Sequence, residues 1–181
     1  QNLQRAYIKA GSQVIYAPTF GGNRLNLEKH GLADRIEEIN RTLVGYSKEL
    51  AGNGVYVAGD ITTSGSFITA DGDYTYAEAF DMYQEQIRIL ADAGIDLIAA
   101  ETMINIEETL AAVDAAASVC DLPIMCTMLK RTEVSSVAEM QLKLPFLWKP
   151  PVQTLSVSTA PSDRISLYLL FETFEIMYQF L

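Results

Sequence analysis

The stretch Phe80-Asp81-Met82-Tyr83-Gln84-Glu85-Gln86-Ile87-Arg88-Ile89-Leu90-Ala91-Asp92-Ala93-Gly94-Ile95-Asp96-Leu97-Ile98-Ala99-Ala100-Glu101 decides how the chain is read. Its first half sets Phe80, Tyr83, Ile87 and Leu90 on one helical face, and Gly94 supplies a left-handed turn. The apolar run Leu97–Ala100 follows at once, at strand length. A helix, a glycine turn and a buried strand make half of a βαβ unit.

The same rhythm extends in both directions. Val14–Ala17, Val55–Ala58 and Ile124–Met128 are further short apolar runs. Between the first two, Leu32, Ile36, Ile39, Leu43, Tyr46 and Leu50 form an apolar stripe that predicts a helix from Leu32 to Ala51, stopped by Gly52-Asn53-Gly54. Asn105, with Glu108 three residues later, predicts a capping box opening a helix through Leu110, Val113 and Ala117 that ends before Pro123. Strands about 40 residues apart, each followed by a helix, define an α/β chain. Periodicity admits an eight-stranded barrel or a doubly wound sheet. No strand leads into Gly-x-Gly-x-x-Gly or a Walker pattern, which favours the barrel.

Composition bounds the function. The 181 residues are 49% hydrophobic and 20% charged, the balance of one globular domain. A net charge of -10 argues against nucleic acid or an anionic membrane as partner. Cys120 and Cys126 are too few for a disulfide scaffold, which suits a reducing cytoplasm. No apolar run reaches the roughly 18 residues of a membrane span, and Gln1 leads the reading to expect further chain upstream.

The charge is uneven. Residues 1–129 hold 8 basic and 18 acidic side chains, whereas 130–181 hold 5 of each. All 11 glycines fall at or before Gly94. The chain therefore divides into a strand–helix part, 1–128, and a divergent tail, 129–181.

Ordered motifs in the first part carry a resemblance. They are Ala10-Gly11-Ser12-Gln13-Val14-Ile15, Pro18-Thr19-Phe20-Gly21-Gly22-Asn23-Arg24-Leu25, Lys29-His30-Gly31-Leu32, Val57-Ala58-Gly59-Asp60-Ile61, Ala93-Gly94-Ile95-Asp96-Leu97-Ile98 with Glu101-Thr102-Met103, and Asp121-Leu122-Pro123-Ile124-Met125. Together they resemble the homocysteine S-methyltransferase family, the zinc-dependent barrel of cobalamin-dependent methionine synthase and betaine–homocysteine methyltransferase. The resemblance implies a partial (β/α)8 TIM barrel in which the visible strands are the second to fifth. It implies methyl transfer to a zinc-activated thiol, with methyl-corrinoid, methylated folate or a betaine-like compound as donor. A corrinoid protein is then the implied macromolecular partner.

Barrel enzymes react at the carboxyl ends of their strands, which makes the residues after each apolar run the candidate site. Glu101 follows Leu97–Ala100, where an unpaired carboxylate is costly and a substrate ammonium would pair with it. The resemblance gives it the amino group of homocysteine. The plainer alternative is a strand-end acid paired with a nearby Lys or Arg. Thr19 and Phe20 end the first visible strand beside Gly21-Gly22, with Pro18 where the family more often has Asn. Asp60 follows the second strand, with Thr62-Thr63 in place of the family's Gly-Pro. Four residues, Thr19, Phe20, Asp60 and Glu101, thus form the substrate-binding expectation. His30 reads as a helix-end base, Cys126 as core, Cys120 as a helix end without a metal partner, and Phe80, Tyr83 and Tyr76 as ordinary core.

The family holds zinc with three cysteines from later strands, in Asn-Cys and Gly-Gly-Cys-Cys motifs that this chain lacks. Residues after Met128 contain no Cys, His or Gly, so zinc is not expected to bind this chain. Translated in a shifted frame, 151–168 permits Gly-Ala-Asp-Ala-Val-Gly-Val-Asn-Cys followed by Ser-Val-Gly, 137–141 permits Gly-Gly-Asn-Ala, and 177–181 permits Val-Ser-Ile-Pro. These are family motifs in family order, which reads the tail as frameshifted coding sequence. The competing reading is a genuine ending, with Leu167, Leu169, Leu170, Phe171, Phe174, Ile176, Met177, Tyr178 and Phe180 as an apolar helix over the open sheet edge. Two other functions remain in play. One is a non-catalytic fragment that binds a partner chain. The other is an unrelated barrel enzyme such as an aldolase-type lyase, disfavoured because no visible strand carries a lysine for a Schiff base.

Overall fold

A computed structural model describes residues 1–66, 68 and 74–128, with the backbone of Leu129 and of three later strands. A helix α1 (Asn2–Lys9) leads into β1 (Val14–Ala17), and a short α2 (Arg24–Glu28) and a 3-10 turn (Ala33–Arg35) lead into α3 (Ile36–Ala51). There follow β2 (Tyr56–Thr62), α4 (Tyr76–Asp92), β3 (Leu97–Met103), α5 (Ile106–Val119) and β4 (Ile124–Leu129). The tail adds β5 (Leu155–Thr159), β6 (Ile165–Leu170) and β7 (Glu175–Gln179).

The seven strands lie in chain order, β1 to β5 parallel and β6 and β7 antiparallel. Among β1 to β4 the order never reverses, so these strands contain no switch point of a doubly wound sheet. Right-handed crossovers in one direction then carry α3, α4 and α5 to the same side. Side chains agree. Val57, Ile61, Ile98, Ala100, Ile124, Cys126 and Met128 share one buried core, while the alternate residues Tyr16, Asp60, Glu101 and Met125 lie on the opposite face, which is helix-free among the described residues.

β2 and β3 run beyond the apolar runs that announced them. Gly59 looks like a strand end but is demanded by packing, because a Cβ there would stand 2.6 Å from Ile95 Cδ1. Asp60 is the next residue, turned to the other face, and the ladder continues to Thr62. Both Asp60 and Glu101 therefore lie inside strands rather than just after them.

The helices correct three expectations. α3 buries Ile36, Asn40, Val44, Ser47 and Ala51, and Tyr46 is exposed. The polar Asn40 and Ser47 hid the inward stripe, since their hydrogen bonds to Gly22 and Leu43 carbonyls and from Gln4 are what make burial tolerable. α5 turns Ala111, Ala112, Val113, Ala115 and Ala116 inward, leaving Ala117 exposed, because its alanines permit close approach to α4. The reciprocal capping box sits on α4, between Thr75 and Glu78. Asn105 does cap α5, accepting from the Glu107 and Glu108 amides, but the Glu108 carboxylate goes elsewhere.

The tail helix is also corrected. Leu167, Leu169 and Leu170 belong to β6, and Ile176, Met177 and Tyr178 to β7, while Phe171, Phe174 and Phe180 lie outside the described residues. The alternation of Ile165 and Leu167 with Ser166 and Tyr168 suits a strand period of two better than a helical stripe.

Candidate functional site

The carboxyl ends of β1, β2 and β3 are stitched together by threonines. Thr19 is fully buried, and its hydroxyl donates to the Asp60 carbonyl at 2.8 Å and accepts from the Asp60 amide at 3.0 Å. It extends the β1–β2 ladder past the last paired residues. Phe20, next along, is 41% exposed. Behind them lies a buried amide pair that the sequence reading did not single out. Gln86 donates to the Thr19 carbonyl at 2.9 Å, and Asn40 donates to the Gly22 carbonyl at 2.8 Å. Gly22 fits because a Cβ would meet Asn40 Oδ1 at 2.5 Å.

The helix-free face brings Tyr16, Asp60 and Glu101 within one electrostatic field. Asp60 is 6% exposed, and its Oδ1 has no hydrogen-bond partner among the described residues. Burial, with the neighbouring Glu101 charge adding to it, raises the Asp60 carboxyl to about 7. The Tyr16 phenol is raised to about 12, by burial first and then by Glu101 and Asp60. Its hydroxyl points across the face to Met125 Sδ at 4.0 Å. Tyr16 was legible, since alternation in Val14-Ile15-Tyr16-Ala17 sets it opposite Ile15 and Ala17. Glu101 is half-buried. Its carboxylate joins no ion pair among the described residues, so the alternative of a paired strand-end acid finds no partner there.

Glu101 occupies a β-bulge. Ala100 pairs with Cys126 and Met103 with Met128, so Glu101 and Thr102 together stand against Thr127. Thr102 has φ +58°, in the left-handed region that a β-branched residue rarely enters. The inserted residue changes the parity of the strand. Glu101 keeps the helix-free face, and Met103, fully buried, rejoins the core. The Thr62 hydroxyl donates to the Glu101 carbonyl at 2.8 Å, and the Thr102 amide donates to Thr127 Oγ1 at 2.9 Å.

Glu108 anchors the chain leaving β2. Fully buried, it accepts from the Thr63 hydroxyl at 2.6 Å, the Ser64 amide at 2.7 Å and the Tyr83 hydroxyl at 3.0 Å. Burial, the Glu108 charge and that hydrogen bond raise the Tyr83 phenol well above its ordinary value.

The described side chains do not fit zinc. Cys126 is buried on the helix side, where desolvation raises its thiol to about 12 and disfavours the thiolate that a metal requires. Cys120 ends α5, and His30 is exposed after α2. Among the described residues no three His, Cys, Asp or Glu side chains cluster to hold an ion.

An α/β framework whose parallel strands present ionisable groups at their carboxyl ends has the plan of an enzyme. The chain belongs to the homocysteine S-methyltransferase family, whose sequence model matches residues 1–143. It is 26% identical over 120 residues to betaine–homocysteine S-methyltransferase 1 of Bos taurus, covering 64% of this chain and 29% of that protein. It is 29% identical over 119 residues to methionine synthase of Mycobacterium tuberculosis, covering 62% of this chain and 10% of that protein. The chain thus spans under a third of these curated relatives. Its fold is similar to the apo homocysteine methyltransferase MmuM from Escherichia coli, with a TM-score of 0.61 at 20% identity, over 86% of this chain and 59% of that one.

Proposed function

We propose that the helix-free face holds the amino-acid end of a homocysteine-type thiol, as the substrate-binding part of a methyltransferase whose sheet is a section of barrel wall. The observation that carries this reading is Glu101, a half-buried carboxylate without an ion-pair partner among the described residues, beside the nearly inaccessible Asp60. An unpaired carboxylate in a partly desolvated site is costly until a cation meets it, and an α-ammonium is such a cation. Phe20 supplies exposed apolar surface at the same end, while Thr19 and Thr62 hold the strand ends in place. Family membership supports homocysteine, which the family's name and that of the betaine–homocysteine S-methyltransferase relative carry.

In the family reading zinc activates the thiol and a methyl-corrinoid, folate or betaine-like compound donates the methyl group. The described residues supply no ligands for that metal, so no step through it is assigned to them. We place the cysteine ligands of the family in the shifted reading frame of the tail. The turn from parallel to antiparallel at β6 supports this, because it breaks the strand–helix alternation of the preceding residues. With these thiols absent, binding rather than turnover is the activity assigned to this chain, in the cytoplasm.

Calorimetric titration of homocysteine into the chain and into Glu101→Gln tests the reading. Losing a charge-assisted hydrogen bond worth about 1.5–3 kcal/mol weakens binding roughly ten- to a hundredfold, with the melting temperature nearly unchanged. Equal affinities, or no binding by the parent chain, refute it.

A further inference from the structure

The geometry around the β3 bulge assigns a task to residues that do not themselves face a ligand. A threonine at φ +58° persists only where its surroundings over-determine it, and such strain gathers at working sites. Two hydroxyls hold this bulge. Thr127 Oγ1 accepts from the Thr102 amide at 2.9 Å, a donor that the register shift removes from regular pairing with β4. Thr62 Oγ1 donates to the Glu101 carbonyl at 2.8 Å, fixing the other side of the same peptide unit to β2. The Thr62 carbonyl in turn stands 3.0 Å from the Tyr83 hydroxyl, whose one hydrogen it shares with Glu108. The Glu101–Thr102 peptide is therefore clamped from both neighbouring strands, and the clamp fixes where the Glu101 side chain leaves the sheet.

We propose that Thr102 and Thr127 are positioning residues for Glu101, with the strained backbone of the one and the hydroxyl of the other aiming its carboxylate toward Asp60 and the space above Tyr16. Unbulged, the strand would send Met103 to the helix-free face and take it from the core, so the bulge serves both faces at once. The proposal rests on the reading of Glu101 as the ammonium contact. Its direct readout does not, because Asp60 senses the Glu101 charge with no ligand present.

The test follows the Asp60 carboxyl by carbon NMR across a pH titration of the intact chain, with homocysteine calorimetry in parallel. Thr127→Val keeps the shape and removes the acceptor. It is expected to move the Asp60 midpoint by about half a pH unit or more and to weaken homocysteine binding severalfold. Thr127→Ser restores both. Thr102→Gly accepts a positive φ without strain and stands in should Thr127→Val fail to fold. It is expected to loosen the aim in the same way while the melting temperature holds. Midpoints and affinities matching the parent in Thr127→Val, or in Thr102→Gly where it stands in, overturn the proposal. A parent that binds no homocysteine overturns the reading of Glu101 but leaves the positioning to be decided by the Asp60 midpoint alone.

Discussion

Asp60 and Glu108 are both acids withdrawn almost completely from water, and the molecule treats them in opposite ways. Around Glu108, three donors from α4 and the chain after β2 converge on the two carboxylate oxygens. Around Asp60 one oxygen is left without a partner among the described residues, and the charge that acts on it, Glu101, has the same sign. The first arrangement repays desolvation with hydrogen bonds and fixes the framework. The second leaves the cost standing, which marks the face where a ligand can gain what the fold does not.

The contrast breaks most visibly at Glu108. Glu108→Ala leaves a buried amide and two hydroxyls without their acceptor, and is expected to lower the unfolding free energy by about 3 kcal/mol, read from urea melts. A loss below about 1 kcal/mol would show that the network does not anchor the fold.

Asp60 responds with the other sign. Its folded-state carboxyl, near 7, lies above the ordinary 3.8, so the folded chain binds the extra proton between these values. The corresponding stability is fully present below about pH 4 and is lost as the pH rises through 7. Glu101 is the titratable group that acts on it across the face, and Tyr16 feels both carboxylates in turn. Asp60→Asn cannot ionise, and is expected to flatten the profile and to gain about 2 kcal/mol at pH 8. Parallel pH profiles of melting temperature for the two proteins would contradict this.

The smallest effect separates the members of the Glu108 network. Tyr83→Phe removes the single hydroxyl hydrogen that the carboxylate and the Thr62 carbonyl share, leaving the carboxylate two donors, and is expected to cost about 1 kcal/mol. A loss equal to that of Glu108→Ala would make the phenol, not the carboxylate, the anchor.

The strand–helix alternation was legible because apolar periodicity reports burial, and the core strands β1 to β4 each overlap a run that the sequence marks. What escaped lies where burial and polarity coincide. Asn40, Gln86 and Glu108 are fully buried yet polar, so a stripe of apolar residues steps around them. Glu108 in particular carries a capping-box spacing behind Asn105, and only the fold shows its carboxylate turned to Thr63 and Ser64 instead. Of the expected site residues, Asp60 and Glu101 share one face, Thr19 joins strands, and Phe20 is exposed beside them. Tyr16 was open to the alternation of β1 but was not singled out, and the bulge escaped because it depends on a single extra residue in the pairing with β4.

That extra residue also sets how the chain tolerates change in length. Thr102 is exposed, and by accessibility alone it ranks among the expendable positions of β3. Deleting it would leave Glu101 alone against Thr127 and restore regular alternation, so Met103 would keep its buried place opposite Met128. The next fixed point downstream is Asn105, capping α5, which would follow Met103 with no compensating shift. A one-residue deletion at the bulge removes a local kink, whereas the same deletion at Ala99, in the regularly paired part of the ladder, breaks the phase between the two faces of the strand.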